Sequence, residues 1–501
     1  MVEQTVSNSH NTNVSLTNPM RRFAKDSVFY SIAKSVPALT AFASAFIFTR
    51  VFTTSDYGLY SLVLAIINPI TIALTEWAGQ PIGRFYSEYY VGGRGSEYSN
   101  IVRTLALLVL SLSILAGLLI ATLGARSWGW SLALAVIFLI PAQAMTNVLS
   151  PILPASLDTG YYRFLEISRA ILNLGFSATL VFFLFRSPAG LIWGMLLGTL
   201  CMLPFLLRRV KRRLQEITHD SKIALHEDSR LKEGLGRFIR YGSPMLFWFF
   251  AAQLLAIGDR YLLQFFRGST EVGIYSANYN LISGISGLLS GPVTMAAFPI
   301  IMRLWANGDH DGLVRTLSKM TGFYLVLGIG MVGGTAAVGF DFVSIALGEQ
   351  FRVGYTILVP VLAGQVLWQA SILGHKGLEL AEKTYVMLRW AGLAASLNFI
   401  LNLIFIPHNG YLAAAYTTLV SYGVYTVLIL FSSRGTLPWR IPFWLVFKSG
   451  IACIIALFTV WFSYPPGNGW LSFLLRGFLF TGVYLATILL AELPRIKVLI
   501  R

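Results

Sequence analysis

Charged residues are scarce in this 501-residue chain: Asp, Glu, Lys and Arg make up 12% of it, while hydrophobic residues make up 55%. A water-soluble domain uses about 25% charged residues to cover its surface. A charged fraction of half that value excludes a soluble globular protein. Apolar windows of about 20 residues, which cross the ~30 Å hydrocarbon layer of a bilayer as helices, recur along the whole sequence. The composition therefore predicts an all-α integral membrane protein.

Cysteine and the motifs of catalytic sites are also nearly absent. The two cysteines, Cys201 and Cys453, lie far apart in sequence and provide no disulfide framework or metal spacing. No G-x-x-x-x-G-K-[ST] loop is present to hold ATP, and no H-E-x-x-H motif or Cys/His cluster is present to hold a metal. Residues 309–311 (DHD) have the D-x-D form of a glycosyltransferase metal site, but we interpret them as a solvated turn. We predict a transport protein with no catalytic residue, metal or cofactor.

About fourteen spanning helices are predicted, as two groups of six followed by a final pair. The spans cover residues 27–49, 59–80, 104–125, 129–150, 164–186, 188–207, 238–262, 272–296, 314–338, 354–374, 384–406, 410–431, 445–463 and 469–492. The predicted organisation is therefore an amino-terminal tail (1–26), a first lobe (27–207), a basic linker (208–236), a second lobe (237–431), and a final helix pair with a short tail (432–501).

The distribution of Lys and Arg sets the predicted orientation. With the amino terminus inside, the inner segments hold 24 of these residues and the outer loops hold five. Both termini are therefore predicted to be cytoplasmic, which agrees with an even number of spans. The net charge of +16 then reflects cytoplasmic loops that touch anionic lipid, and it does not indicate nucleic-acid binding.

An internal repeat relates the two groups of six spans. Residues 55–61 (SDYGLYS) open the second span, and residues 270–276 (TEVGIYS) open the eighth, 215 residues later. Further matches in the same order are Thr49-Arg50 with Asp259-Arg260, Arg169 with Arg389, and Gly190 with Gly410. Because six spans separate the copies, both halves run the same way across the membrane. The repeat predicts two six-helix lobes related by an axis along the membrane normal, with a cleft between them.

Charged side chains inside the spans are the candidate site residues. Each costs about 2.5–3.5 kcal/mol at mid-bilayer on the insertion scale, so they are expected to face the bundle interior. The candidate cations are Lys34, Arg169, Arg260 and Arg389, and the candidate coupling or pairing acids are Glu76, Glu166 and Asp259. Arg presents a planar fork that matches phosphate oxygens, so these cations are predicted to line the cleft and bind an anion. The alternative is internal pairing, because Asp259 adjoins Arg260 and Glu166 lies three residues before Arg169.

Uncharged polar side chains within the spans have two interpretations. They either donate hydrogen bonds to sugar hydroxyls or link helices to each other, which is the commoner role. These residues are Gln253, Asn278, Gln365, Gln369 and Asn398.

Several segments resemble a known family of membrane proteins. Residues 48–52 (FTRVF) and 56–60 (DYGLY) are similar to the start of bacterial polysaccharide biosynthesis flippases. These are the Wzx-type translocases of O-antigen and exopolysaccharide repeat units, within the multidrug/oligosaccharidyl-lipid/polysaccharide (MOP) exporter superfamily. Residues 258–263 (GDRYLL) with 272–276 (VGIYS) resemble the seventh and eighth helices of that family, and 409–415 (NGYLAAA) resemble its twelfth. The final helix pair resembles the lipid II flippase branch.

The resemblance, which covers roughly residues 25–490, implies a function. It implies a fold of two lobes around a cleft and a polyprenyl-pyrophosphate-linked oligosaccharide as the substrate. It also implies a place in the bacterial cytoplasmic (inner) membrane, with a polysaccharide polymerase and chain-length machinery as partners. The expected function is to move the substrate from the cytoplasmic to the outer leaflet for surface polysaccharide synthesis, by rocking of the lobes.

Two alternatives stay open. One is a MATE-like cation or drug antiporter of the same superfamily, which favours acidic residues in the first lobe, whereas the first span here carries Lys34 and no mid-span acid. The other is a membrane glycosyltransferase or polymerase. That class needs a large outer loop with catalytic residues, and the longest predicted outer loops have only about 15 residues.

Overall fold

The computed structural model describes residue 36 and residues 39–219, 227–465, 467 and 469–500. The predicted tail (1–26), the candidate cation Lys34 and the centre of the predicted linker (220–226) lie outside the described residues. Within the described part of the chain, every regular element is a helix.

The helices follow one another with short connections. In chain order they are α1 (Leu39–Val51), α2 (Thr54–Val91), α3 (Gly95–Trp128), α4 (Trp130–Leu149), α5 (Ile152–Ala155), α6 (Thr159–Phe183), α7 (Pro188–His219), α8 (Glu227–Arg267), α9 (Ser269–Ala306), α10 (His310–Ala346), α11 (Leu358–Gly374), α12 (Lys376–Leu380), α13 (Thr384–Ser432), α14 (Phe443–Ser463) and α15 (Trp470–Ile500). Two 3₁₀ segments cover Glu349–Ile357 and Ser433–Gly435.

Helix α13 is a hairpin of two helices rather than one long rod. The backbone of Gly410 leaves the helical region, with φ 55° and ψ −140°. The Trp390 Nε1–H group donates a hydrogen bond of 2.6 Å to the Ser432 hydroxyl, 42 residues later. In a straight helix these residues would lie about 63 Å apart, at 1.5 Å per residue. The chain therefore reverses near Gly410, and the two halves of α13 are the predicted eleventh and twelfth spans.

The predicted membrane fold is confirmed. Eleven helical segments of the described chain are long and apolar enough to cross a membrane, and the α13 hairpin counts as one of them. The predicted first span corresponds to α1, of which 39–51 is described, and the predicted eighth span corresponds to α9. The chain is an all-α membrane protein with about fourteen spanning helices. The short helices α5 and α12 were not predicted.

Helices α2 and α8 lie antiparallel along most of their length. Three contacts between them run in opposite chain directions: Ala65 with Tyr261, Phe85 with Phe238, and Glu88 with Arg237. Phe48 of α1 and Phe52, just after it, also pack in one core cluster with Tyr275 of α9. Helices at the start of each repeat thus contact the other half, and the exact division into lobes stays a prediction.

The final helix pair packs against α10. Ala452, Cys453 and Ala456 of α14 and Phe480 of α15 share one core cluster with Ala337 of α10. Lys448 ties the pair together, because its ammonium group donates hydrogen bonds of 2.8 Å to the Ala491 carbonyl and to the Glu492 carboxylate. The pair therefore extends the side of the second half.

Candidate functional site

The two copies of the repeat touch each other at the predicted outer end of the bundle. Gly58 and Gly273 face each other where α2 and α9 begin. A Cβ atom on Gly58 would lie 1.9 Å from the Ser269 carbonyl oxygen, and one on Gly273 would lie 1.8 Å from the Thr54 carbonyl oxygen. The Ser55 and Ser269 hydroxyls are 2.7 Å apart. The related segments thus meet across a local two-fold relationship and hold the halves together there.

Helix α1 makes a second contact of this kind. The Arg50 guanidinium donates hydrogen bonds to the Ile345 carbonyl at 2.6 Å and to the Ala346 carbonyl at 3.1 Å. These are the last carbonyls of α10, which lack partners within the helix and favour a cation. The Gly348 N–H donates to the Thr49 hydroxyl at 3.0 Å. Arg50 therefore caps a helix of the other half, a role that the sequence did not reveal.

Asp259 and Arg260 lie near the end of α8, and both are buried. The Tyr275 hydroxyl donates a hydrogen bond to the Asp259 carboxylate. One terminal nitrogen of Arg260 donates to the Asn280 carbonyl oxygen at 3.2 Å, and the Arg260 Nε–H has no hydrogen-bond partner among the described residues. Adjacent residues of a helix do not face each other. The two groups accordingly use different partners.

Aromatic hydroxyl groups from both halves surround Arg260. Its guanidinium lies 5.4 Å from the centre of the Tyr279 ring. Tyr57, from α2 of the first half, lies close to Asn280, and its ring lies 5.6 Å from that of Tyr60. We define the inter-half cluster as the group Tyr57, Tyr60, Asp259, Arg260, Tyr275, Tyr279 and Asn280. It holds a buried cation with hydrogen-bonding capacity at the contact between the halves.

Arg169 has a partner within its own helix. Its guanidinium donates a hydrogen bond of 2.7 Å to the Glu166 carboxylate, three residues earlier on α6. The pair lines a narrow space within the first half, together with Thr146 and Tyr162. This arrangement is the internal pairing that the sequence left open as an alternative.

The remaining candidates lie apart from these groups. Arg389, on α13, is exposed, and its guanidinium lies 4.7 Å from the centre of the Trp390 ring. Glu76, on α2, is partly buried and accepts a hydrogen bond of 2.8 Å from the Gln80 amide. The three arginines have different neighbours: Arg169 pairs with Glu166, Arg260 lies beside Tyr279 and Asn280, and Arg389 lies beside Trp390. Of the candidates within the described residues, Arg260 and Asp259 lie together in the inter-half cluster.

Most of the uncharged polar candidates link helices. The Asn278 amide donates a hydrogen bond of 2.9 Å to the Phe351 carbonyl. Asn398 accepts from Asn402 at 3.0 Å and donates to Thr418 at 3.3 Å across the α13 hairpin. The Gln365 amide donates to the Ser283 hydroxyl, and its own carbonyl oxygen has no partner among the described residues.

The sequence reasoning missed a buried ion pair on the final helix. Arg476 of α15 donates a hydrogen bond of 2.6 Å to the Asp341 carboxylate of α10, and their side chains are 7% and 0% exposed. The Ser472 hydroxyl donates to the same carboxylate at 2.8 Å. Arg476 lies within the predicted span 469–492, so its charge was a visible signal, while its partner lies 135 residues away in sequence.

A groove of about 500 Å³ lies beside this ion pair, between α10 and α15. Its walls are almost entirely apolar or small. The residues that line it include Met331, Val338, Phe342, Phe473, Leu474 and Phe478. Leu474 and Phe478 are exposed on the surface of the bundle. The groove is thus a surface suited to a hydrocarbon chain.

Comparison with known proteins identifies relatives of this chain. A family model described as "Polysaccharide biosynthesis protein" matches residues 23–305. A protein of Haloferax volcanii, described as a "Probable low-salt glycan biosynthesis flippase Agl15", is 24% identical over 412 residues, which are 81% of this chain and 82% of that protein.

Solved structures share the fold. The lipid II flippase MurJ in an inward closed conformation aligns with a TM-score of 0.73 at 15% identity, over 95% of this chain and all of that chain. An inward-facing multidrug resistance MATE family transporter of the MOP superfamily aligns with a TM-score of 0.64 at 14% identity, over 81% of this chain and 97% of that chain. At such identities the likeness concerns the fold. Both proteins are described as a flippase or a transporter, and this chain shares their arrangement of helices.

Proposed function

Because this chain belongs to the polysaccharide biosynthesis protein family, we propose that it is a flippase for an oligosaccharide linked to polyprenyl pyrophosphate. The observation that supports this proposal most directly is the position of Arg260. It is buried between the two halves, and its Nε–H group has no partner among the described residues. A cation inside a membrane protein is unfavourable unless anionic and hydrogen-bonding groups compensate it. The neighbouring carboxylate, Asp259, is buried and accepts a hydrogen bond from Tyr275, so the unpartnered Nε–H of Arg260 is left for a substrate anion.

A pyrophosphate is the anion that fits this site best. The guanidinium is planar and donates parallel hydrogen bonds to two phosphate oxygens, and such charge-assisted bonds are stronger than neutral ones. The Tyr57 and Tyr60 hydroxyls and the Asn280 amide supply neutral hydrogen-bonding groups of the kind that sugars use. The inter-half cluster therefore combines one anion-binding group, Arg260, with several groups that bind hydroxyls, while its carboxylate, Asp259, is held by the Tyr275 hydroxyl.

The lipid carrier needs a separate path. The apolar groove between α10 and α15 opens on the bundle surface and is continuous with the lipid-facing side chains Leu474 and Phe478. A polyprenyl chain lying there stays in a hydrocarbon environment while the headgroup moves. Burial of apolar surface contributes about 25 cal/mol per Å², so such a groove favours a lipid-linked substrate over a free sugar.

The movement is a rocking of the two halves. In this state the contacts Gly58–Gly273 and Arg50–Ala346 hold the predicted outer ends together. Release to the outer leaflet requires these contacts to separate. Neither strand pairing nor a covalent link opposes that separation among the described residues, and an ion or potential gradient is the proposed energy source.

The proposed location is the cytoplasmic membrane of a bacterium, with both termini in the cytoplasm. The charge asymmetry of the loops supports this orientation. In that setting the oligosaccharide would serve surface polysaccharide synthesis, such as O-antigen or exopolysaccharide, with a polymerase and chain-length machinery acting downstream.

Cation-coupled antiport is the competing function, because the fold is also that of a MATE transporter. Antiport requires a carboxylate that binds the coupling cation. In the described part of the first half, Glu166 is engaged by Arg169, which leaves Glu76 as the membrane-embedded candidate.

One assay separates the two functions. The full chain is reconstituted in vesicles that carry a fluorescent polyprenyl-pyrophosphate saccharide, and a membrane-impermeant quencher reports which leaflet holds the label. Flipping by the wild-type protein supports the proposal. Proton exchange driven by an added cationic drug, without movement of the labelled lipid, would instead establish the antiporter. In cells, deletion should cause lipid-linked saccharide to accumulate on the cytoplasmic side.

A further inference from the structure

A cavity of about 750 Å³ lies on the flank of the first half, where α3 begins and α7 ends. Met145 and Leu149 of α4 form part of its lining. Leu107 of α3 and Leu207 of α7 also line it, and they are 58% and 41% exposed. The cavity therefore opens on the surface of the bundle that faces lipid, away from the inter-half cluster.

The cavity changes from polar to apolar along the membrane normal. On α3, Ser99 and Arg103 come before Leu107, while on α7, Leu207 comes before Lys211 and Gln215. Because α3 leaves and α7 approaches the same end of the bundle, both helices place their polar residues near that end and their leucines deeper. The spacing from Arg103 to Leu107 is about 6 Å along the helix. This gradient matches the headgroup and the first carbons of a lipid.

The charges in the cavity have one sign. Arg103 and Lys211 line it, and no described residue of its lining is acidic. The nearest acids in sequence are engaged elsewhere, because Glu97 pairs with Arg94 at 2.7 Å and Glu216 pairs with Arg213 at 2.7 Å. Two cations on facing helices at a membrane surface attract an anionic headgroup.

We propose that this cavity binds an anionic phospholipid of the leaflet next to the basic linker. The phosphate lies between Arg103 and Lys211, and the acyl chains follow Leu107 and Leu207 into the bilayer. Hydroxyl and amide groups along the polar part complete the contacts with the headgroup; they belong to Ser99, Asn100, Gln215 and Thr218. The site is independent of the proposed transport route, because it lies outside the contact between the halves.

The second half offers a comparison at the equivalent place, where α10 begins and the twelfth span ends. The cavity there measures about 380 Å³, and its lining includes Asp311 beside Arg315 and Arg440. A carboxylate within the cavity offsets the cations. We therefore assign the lipid site to the first half alone.

The test measures lipid binding to the full chain in detergent by native mass spectrometry. Phosphatidylglycerol is the anionic probe, and phosphatidylcholine is the zwitterionic one. The wild type should bind phosphatidylglycerol more tightly. The Arg103→Gln/Lys211→Gln variant should lose about 25-fold in affinity for it, because each cation near an anionic headgroup contributes about fivefold. The Arg103→Lys/Lys211→Arg variant should retain binding, which separates loss of charge from loss of fold.

A matched control removes two cations from the ends of α3 and α7 that lie far from the cavity. Arg126 lies in the last turn of α3 and Arg186 lies just before α7, and both are exposed. Arg126→Gln/Arg186→Gln should bind phosphatidylglycerol like the wild type. Equal loss in this control, unchanged binding by Arg103→Gln/Lys211→Gln, or equal affinity of the wild type for both lipids would overturn the proposal. So would displacement of phosphatidylglycerol from this cavity by polyprenyl pyrophosphate, since the cavity would then belong to the transport substrate.

Discussion

Gly58 and Gly273 occupy the same position in the two copies of the repeat, and their backbones lie against each other at the starts of α2 and α9. A Cβ atom on either residue would overlap a carbonyl oxygen of the opposite segment. The motif thus has a physical explanation. Each copy provides the glycine that lets the other copy approach, so the repeat encodes the contact between the halves.

Cross-linking tests whether this contact opens during transport. The Ser55 and Ser269 hydroxyls are 2.7 Å apart, so cysteines at both positions come within reach of a disulfide bond. In a Cys201→Ser/Cys453→Ala background, Ser55→Cys/Ser269→Cys should cross-link on oxidation and lose transport, with recovery after reduction. The single variant Ser55→Cys should stay active under oxidation. Normal transport by the cross-linked protein would show that the halves do not separate here.

Neutralising Arg260 tests the anion site. Hydrogen bonds to charged groups contribute about 1.5–3 kcal/mol, so Arg260→Gln should lower binding of a pyrophosphate-linked lipid by about 10- to 150-fold, and Arg260→Lys by less. Transport is measured per correctly inserted molecule. The control is Arg267→Gln, on the same helix, which removes an exposed guanidinium paired with Glu271 at 2.7 Å and should leave affinity nearly unchanged. Full affinity in Arg260→Gln would contradict the cationic site.

The Asp341–Arg476 pair should anchor α15 to α10. Removing one partner leaves a buried charge without compensation and costs about 3–5 kcal/mol. Asp341→Asn and Arg476→Gln should therefore each lower the temperature of unfolding in detergent and expose the carboxyl-terminal helices to protease. The double variant Asp341→Leu/Arg476→Met should recover much of that stability, since no unpaired charge remains. If the single variants unfold at the wild-type temperature, the pair contributes little.

Gly410 should be essential to the α13 hairpin. Its φ of 55° and ψ of −140° lie in a region that residues with a Cβ atom avoid, and a Cβ atom there would lie 2.1 Å from the Glu271 carboxylate. Gly410→Ala should destabilise the protein by about 1–3 kcal/mol. Gly392→Ala, on the same element, meets no atom within 4 Å and should be neutral or slightly stabilising. Equal unfolding temperatures for the two variants would contradict this assignment.

The sequence predicted the spans well because hydrophobic length is a local property. Even the break between the eleventh and twelfth spans was correct, since the polar segment around Asn409-Gly410 interrupts two apolar runs. The helices extend beyond the predicted spans, as α2 does from Thr54 to Val91, because polar residues outside the hydrocarbon layer continue the helix.

The candidate site was predictable only in part. Arg169 and Arg260 were both predicted as site residues because each is a charge inside a span. In the structure Arg169 is paired with Glu166, whereas Arg260 lies among tyrosines from both halves. Arg476 carried the same signal, and its carboxylate partner on α10 could not be found from sequence. The rotation of each helix about its axis decides which side chains pair. Helices that are apolar on all sides have little hydrophobic periodicity, so their sequences do not predict this rotation.

By itself, the sequence determined that the chain lies in a membrane as two related groups of helices, because apolar length and repeated motifs are written along the chain. The tertiary structure alone decided which charged groups face each other, which end of the repeat closes, and where α3 and α7 leave a cavity. Those features depend on contacts between residues that are distant in sequence, such as Ser55 with Ser269 and Asp341 with Arg476, and only packing brings such residues together.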